Sequence, residues 1–200
     1  MKVTTQMVKE LREATGAGVL DAKKALEAAD GNFDAAVDAL RKKGAARAAK
    51  KADRQANEGV IEVYSHLASR VGVMVEVNCE TDFVARNEQF QELAHDLALH
   101  VAAMAPKYLN REDVPTADLD RELDVLRDQA RAEGKPENIV EKIVEGRVDK
   151  FYAETCFMEQ PFVKDEKKKI SQLVMEAIQT LGENIVVRRF IRYELGESLD

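Results

Sequence analysis

The side chains best suited to metal or nucleophilic chemistry are scarce in this sequence: His66, His95 and His100, with Cys79 and Cys156. His95 and His100 stand five apart, whereas two metal ligands on one helix face need a spacing of about three or four. The cysteines are too distant in sequence for a metal-binding pair, and two thiols make no disulfide framework, so both read as free. No serine or cysteine sits in a recognisable nucleophile motif, and the acids are spread over helix faces where solvated charge is the default. Gly16-Ala17-Gly18 invites a nucleotide-loop reading. A dinucleotide fingerprint would need its third glycine where Asp21 stands, and a P-loop starting at Gly16 would need Gly-Lys where Asp21-Ala22 stands. The glycines read instead as a helix C-cap and turn. No metal, cofactor or bond-making enzyme is expected.

What remains is a stretch shaped for contact, Glu80-Thr81-Asp82-Phe83-Val84-Ala85-Arg86-Asn87. It follows Val71 to Cys79, whose alternating valines read as a buried strand, and it precedes an amphipathic helix. Thr81 can cap a short helical turn and Asn87 the longer helix after it, which places Asp82 and Phe83 on a tight corner between rigid elements. From pattern alone Asp82 is a cap-region acid and Phe83 a core residue.

The elements that must hold this corner can be read along the chain. Met7, Val8, Leu11 and Ala14 give a helix from Thr5 to Thr15. Val19, Ala22, Leu26 and Ala29 give a second, and Asn32 caps a third marked by Phe33, Ala36, Val37 and Leu40. Three short helices bury little, so this module should keep an exposed apolar patch. Gly59 to Tyr64 and Val71 to Cys79 read as an antiparallel hairpin, and Ile185 to Glu194 supplies a late third strand. Phe90, Leu93, Leu97, Val101 and Met104 stripe one helix. Leu119 to Ala130 and Ile139 to Phe151 form a helical hairpin about Gly134-Lys135-Pro136, with Thr116 as the first helix's cap. A last helix carries Ile170, Leu173, Val174, Ala177 and Leu181. The fold class is α+β: a three-helix module over residues 1–44, a basic linker over 45–58, and a core over 59–200 with a small antiparallel sheet packed by helices.

Two hundred residues, 45% of them hydrophobic, are enough for a real core. No apolar run approaches the roughly 20 residues of a membrane span, and Met1-Lys2-Val3-Thr4 lacks a signal peptide's apolar segment, so a cytoplasmic protein is expected. A net charge of −7 disfavours nucleic acid as the dominant partner. The exception is local: Arg41, Lys42, Lys43, Arg47, Lys50, Lys51 and Arg54 crowd together against Asp53 alone. No aromatic residue lies among them to stack bases, which favours a solvated, partly helical linker over an RNA site.

Several of these segments resemble bacterial elongation factor Ts. Val8-Lys9-Glu10-Leu11-Arg12, Thr15-Gly16-Ala17-Gly18 and Asp21-Ala22-Lys23-Lys24-Ala25-Leu26 are similar to its N-terminal domain, a three-helix bundle like ubiquitin-associated domains. Glu76 to Asn87 is similar to its most recognisable motif, and Gln160-Pro161-Phe162-Val163 with Phe190-Ile191-Arg192-Tyr193-Glu194 to its C-terminal pattern. One departure is that family members often carry Met-Met before the aspartate and Cys after it, where Val19, Leu20 and Ala22 stand here. The chain has room for one core unit, like the short members of the family, which work as homodimers.

The resemblance implies a guanine-nucleotide exchange factor for elongation factor Tu. Arg12, Val19, Leu20 and Lys23 would grip the partner's nucleotide-binding domain. Asp82 and Phe83 would project and push in near its magnesium and phosphates, reversing the core reading of Phe83. His100 has two readings, a partly buried structural histidine by pattern and a partner contact by resemblance. The competing function is an adaptor like ubiquitin-associated domains, or an RNA-binding scaffold, without exchange activity.

Overall fold

The computed structural model describes residues 3–198. In chain order its elements are α1 (Thr5–Thr15), α2 (Val19–Ala28), α3 (Phe33–Ala49), β1 (Glu58–His66), β2 (Val71–Cys79), α4 (Asp82–Ala85), α5 (Glu88–Met104), α6 (Thr116–Ala132), α7 (Glu137–Thr155), β3 (Pro161–Phe162), β4 (Asp165–Lys169), α8 (Ile170–Leu181) and β5 (Val186–Glu194). This is the expected α+β architecture, with β1, β2 and β5 side by side in that order in a small antiparallel sheet. The chain divides into two compact units, Met1–Val63 with Val75–Asp96 and Gln172–Arg189, and Tyr64–Met74 with Leu97–Ser171 and Phe190–Asp200.

In the first unit, the three N-terminal helices close over Val8, Leu11, Ala22, Leu26, Ala36 and Leu40. The Thr4 hydroxyl caps α1 at Met7 N, and Gly16, at φ +66°, ends it by donating to the Arg12 carbonyl, the left-handed stop that a side chain would strain. Asn32 caps α3 as expected. That helix runs on to Ala49, past the expected module boundary at residue 44, because an alanine-rich stretch carries it through Gly44. Asp21 on α2 accepts from Lys43 Nζ at 2.7 Å and Arg47 Nη1 at 2.8 Å on α3, and these bonds, the Lys43 one first, hold its carboxyl below the usual range. Helix α8 lies against the module where glycines permit it. A Cβ at Gly16 would come within 2.8 Å of Thr180 Oγ1, and one at Gly44 would collide with Gln179 Oε1. Gly59, the second residue of β1, is at φ +143°, where a Cβ would collide with the Val77 carbonyl oxygen.

In the second unit, β1 and β2 meet through Leu67, Ala68 and Ser69, all at positive φ. Helices α6 and α7 pair over Leu126, Ala130, Val140 and Val144, as the sequence pattern expects. Arg127–Glu141 (2.9 Å), Arg131–Glu137 (2.7 Å) and Arg147–Glu133 (2.8 Å) lace the pair together. Thr116 is not the cap of α6; it is the first helical residue, and Pro115 precedes it with no side-chain cap. The short β3–β4 ladder was not expected, since β4 reads Asp-Glu-Lys-Lys-Lys, a composition that strands rarely use.

At the base of the helical hairpin, Arg111 Nε donates to Glu159 at 2.9 Å and its Nη1 to Asp149 at 2.8 Å, while the guanidinium lies 4.6 Å from the centre of the Tyr152 ring. Lys169 Nζ also reaches Glu159, at 2.8 Å. Arg111 first, then Lys169, pull the Glu159 carboxyl down to about 2. A carboxyl depressed on folding stabilises the protein above its unfolded pKa, and that stability is lost as pH falls through the folded value. Glu159 should therefore contribute roughly 3 kcal/mol near neutral pH, vanishing between about pH 4.5 and 2. Urea unfolding of Glu159→Gln should show that loss near pH 7 and a flatter acid limb than the wild type.

Candidate functional site

Strand β2 sets up the corner. Val71, Val73, Val75 and Val77 are buried on one side, so the strand's end is fixed before the chain turns. Cys79 is fully buried, its Sγ donates to the Thr81 carbonyl at 3.2 Å, and burial pushes its thiol up to about 11. It supports the turn and offers no reactive thiolate. Cys156 is also buried, with its thiol pushed up by burial. Thr81 caps α4, accepting from Val84 N at 3.4 Å, and Asn87 caps α5, accepting from Gln89 N at 2.9 Å. Both capping roles read from the sequence are present.

Between these caps Ala85 turns inward and Phe83 turns out. Phe83 is 82% exposed, so its core reading is corrected in favour of the projecting one. The reason is geometric: in a one-turn helix only the residues facing β2 and α5 can pack, and Ala85 takes that place. Asp82 is half exposed, its carboxylate held 3.1 Å from Arg86 Nη2.

The other side of the corner is held by residues that carry no motif or periodicity of their own. Glu183 Oε2 accepts the backbone N–H groups of Glu80 and Thr81, each at 3.0 Å, and its Oε1 accepts the Thr81 hydroxyl at 2.7 Å. Glu80 answers by accepting the Asn184 N–H at 2.6 Å, and Arg54 Nη1 lies 3.4 Å from the same oxygen. The Asn184 amide donates to the carbonyls of Ala52 and Arg54, at 3.3 and 2.8 Å. Lys51 Nζ donates to the Gly182 carbonyl. The turn between α8 and β5 is thus tied to the corner and to the segment that follows α3. Sequence offered one signal, a Gly-Glu-Asn turn after an amphipathic helix, with nothing to say what it faced.

The remaining site candidates separate into two kinds. Arg12, Val19, Leu20 and Lys23 are all exposed on the N-terminal module, with Leu20 72% accessible and Lys23 3.7 Å from Glu27. His100 is different, with no accessible surface. Its Nε2–H donates to Gln160 Oε1 at 2.9 Å, and its Nδ1 accepts from Val163 N at 3.2 Å. Burial lowers its pKa, against the hydrogen bond to Gln160, and a proton on Nδ1 would meet the Val163 N–H head-on. Gln160 in turn donates to the Glu154 carbonyl at 2.8 Å. The imidazole, set against Phe157 and Phe162, therefore holds Gln160 and Val163 in place; this accords with the structural reading of His100, and in the free chain the ring offers no surface for the partner contact that the resemblance implies. Within the basic segment, Lys43, Arg47, Lys51 and Arg54 all have intramolecular partners.

No metal-binding cluster of His, Cys, Asp or Glu occurs among the described residues, and none of the described helices is long and apolar enough to cross a membrane. The arrangement can present one apolar side chain beside one carboxylate, on a turn fixed from both flanks.

The family model for elongation factor Ts matches residues 2–197. The chain is 59% identical over 198 residues to the elongation factor Ts of Herpetosiphon aurantiacus, an alignment covering 99% of this chain and 100% of that one. It is 54% identical to that of Syntrophomonas wolfei, covering 99% and 92%, and 54% identical to that of Geobacter sulfurreducens, covering 100% and 93%.

Because Phe83 contributes almost no buried area, Phe83→Ala should change stability by less than about 0.5 kcal/mol. Chemical denaturation of the two proteins checks this, and a loss of 2 kcal/mol or more, about what a packed Phe contributes, would restore the core reading.

Proposed function

The chain belongs to the elongation factor Ts family, and from that premise we propose that it is a cytoplasmic guanine-nucleotide exchange factor for elongation factor Tu. In this reading Phe83 is an apolar wedge. Asp82 is the polar group that disturbs the magnesium and phosphates of bound GDP when it leaves Arg86. Arg12, Val19, Leu20 and Lys23 form a separate grip. No bond is made or broken. The principle is linkage: whatever factor the bound exchange protein takes from GDP affinity, GDP takes from the exchange protein's affinity.

The observation that carries the proposal is the 82% exposure of Phe83 on a capped, clamped turn. An aromatic side chain held rigidly in water forgoes burial worth about 2 kcal/mol, which is accountable if a partner supplies that burial. Separating grip from wedge raises the local concentration of the wedge at its target. His100 enters as the residue that orders the loop at Val163.

The test is release of a fluorescent GDP analogue from elongation factor Tu. Phe83→Ala should lower the maximal rate on the order of tenfold or more while sparing most of the affinity, and Leu20→Asp should chiefly raise the half-saturating concentration. Equal loss of rate and affinity in both variants would sink the division of labour. An adaptor or RNA-binding scaffold would bind without accelerating release at all. The RNA version is weakened by the intramolecular partners of Lys43, Arg47, Lys51 and Arg54.

The protein is further proposed to act as a homodimer through the outward side of β1. On β1, Ile61 and Val63 are exposed while Glu62 between them turns to His95 on α5. Polar residues would be expected on the open side of a solvated sheet, and apolar ones mark an interface. Sedimentation equilibrium should give twice the chain mass, falling to one chain mass in Val63→Lys.

A further inference from the structure

We infer that Glu183 is the positioning residue of the exchange corner, an assignment that rests on the exchange reading and deepens it. One carboxylate collects three donors from two consecutive residues, the N–H groups of Glu80 and Thr81 and the Thr81 hydroxyl. The hydroxyl has a single hydrogen. Giving it to Glu183 Oε1 at 2.7 Å leaves the oxygen's lone pairs to meet Val84 N at 3.4 Å, so the carboxylate sets the direction in which Thr81 caps α4. Phe83 sits inside that one turn, and its direction is the direction of the turn.

Two details separate positioning from plain stabilisation. Thr81 is exposed, so water can take over its bonds when the carboxylate is removed, and the stability cost is modest. Water cannot hold the angle. The neighbouring Asn184 fixes the chain at Ala52 and Arg54, and so keeps Glu183 itself in register with the corner. In this assignment Glu183 acts through Thr81 and not on the nucleotide itself.

The experiment uses the full chain, which contains no tryptophan, so Phe83→Trp makes a unique reporter at the corner. Adding Glu183→Ala to Phe83→Trp should lower the reporter's anisotropy in the free protein, while Glu183→Gln, which keeps one acceptor oxygen, retains most of it. In the GDP-release assay, Glu183→Ala should lower the maximal rate on the order of tenfold and shift the half-saturating concentration less than about threefold. Glu183→Gln should recover much of the rate, and Glu183→Ala with Phe83→Ala should be no slower than Phe83→Ala alone. Unchanged anisotropy, multiplying losses in the double variant, or equal loss of rate and affinity would each overturn the assignment. Should Glu183→Ala not fold, Thr81→Val against Thr81→Ser reads the same relay: Ser should keep rate and anisotropy and Val lose them, and equal behaviour of the two overturns it. A wild type that leaves GDP release unchanged would defeat the exchange reading, while the anisotropy arm still decides whether Glu183 orders the corner.

Discussion

The short turn from Gln179 to Asn184 is the constraint on which the first unit depends. Gln179 and Thr180 face the glycines of the N-terminal module, Gly182 receives Lys51, and Asn184 holds Ala52 and Arg54. Glu183 holds Glu80 and Thr81. Five residues of this short stretch therefore touch the module, the segment leaving it and the projecting corner. The contacts span from 102 to more than 130 positions of sequence, so the loop-closure entropy they require is met by the packing of α8 and β5 rather than by the hydrogen bonds themselves. The bonds add direction to a geometry that hydrophobic burial has already established.

The division between what burial does and what polar contacts do recurs in the second unit. Val140, Val144, Leu126 and Ala130 supply the attraction between α6 and α7, and the arginine–carboxylate pairs along their surfaces, being exposed, each contribute little. His100 is the opposite case. It is buried, neutral and satisfied at both nitrogens, so replacing it by a residue that leaves Val163 N or Gln160 Oε1 without a partner would cost more than its own bonds return. Its two ring bonds hold Gln160 and Val163, the ends of the Gln160-Pro161-Phe162-Val163 segment.

Most of the fold was legible because it rests on periodicity. The valines of β2, the stripe from Phe90 to Val101 and the paired faces of α6 and α7 repeat at the spacing of the element that buries them. Caps were legible too, since Thr81, Asn87 and Asn32 act on residues two or three positions away. The β4 strand was not, because Asp165 to Lys169 is specified by its pairing with Pro161 and Phe162 and by Lys169 reaching Glu159, not by its own preference. Glu183 was beyond reach for the same reason at longer range. A glutamate after a helix is ordinarily solvated charge, and only a contact 102 residues away makes it a clamp. The exposure of Phe83 followed from family likeness alone, since by composition a phenylalanine belongs inside.

An exposed aromatic side chain invites unwanted association, and the corner limits this by its surroundings. Phe83 is flanked by Asp82, paired with Arg86, and by the half-buried Val84, with exposed Asn87 and Glu88 beyond, so the exposed apolar stretch is short and bordered by polar residues. An area of that size is too small to drive stable self-association, which needs several hundred square ångströms of apolar contact. It is large enough to gain from a matching apolar slot. Because Thr81, Asn87 and Glu183 have already removed the backbone freedom of the turn, entry into such a slot would cost chiefly the rotamer freedom of one ring. Under the proposed function, rigidity in the free protein and effectiveness in a complex would be the same property, and the hydrogen bonds behind Phe83 would matter more than any contact the ring itself makes in isolation.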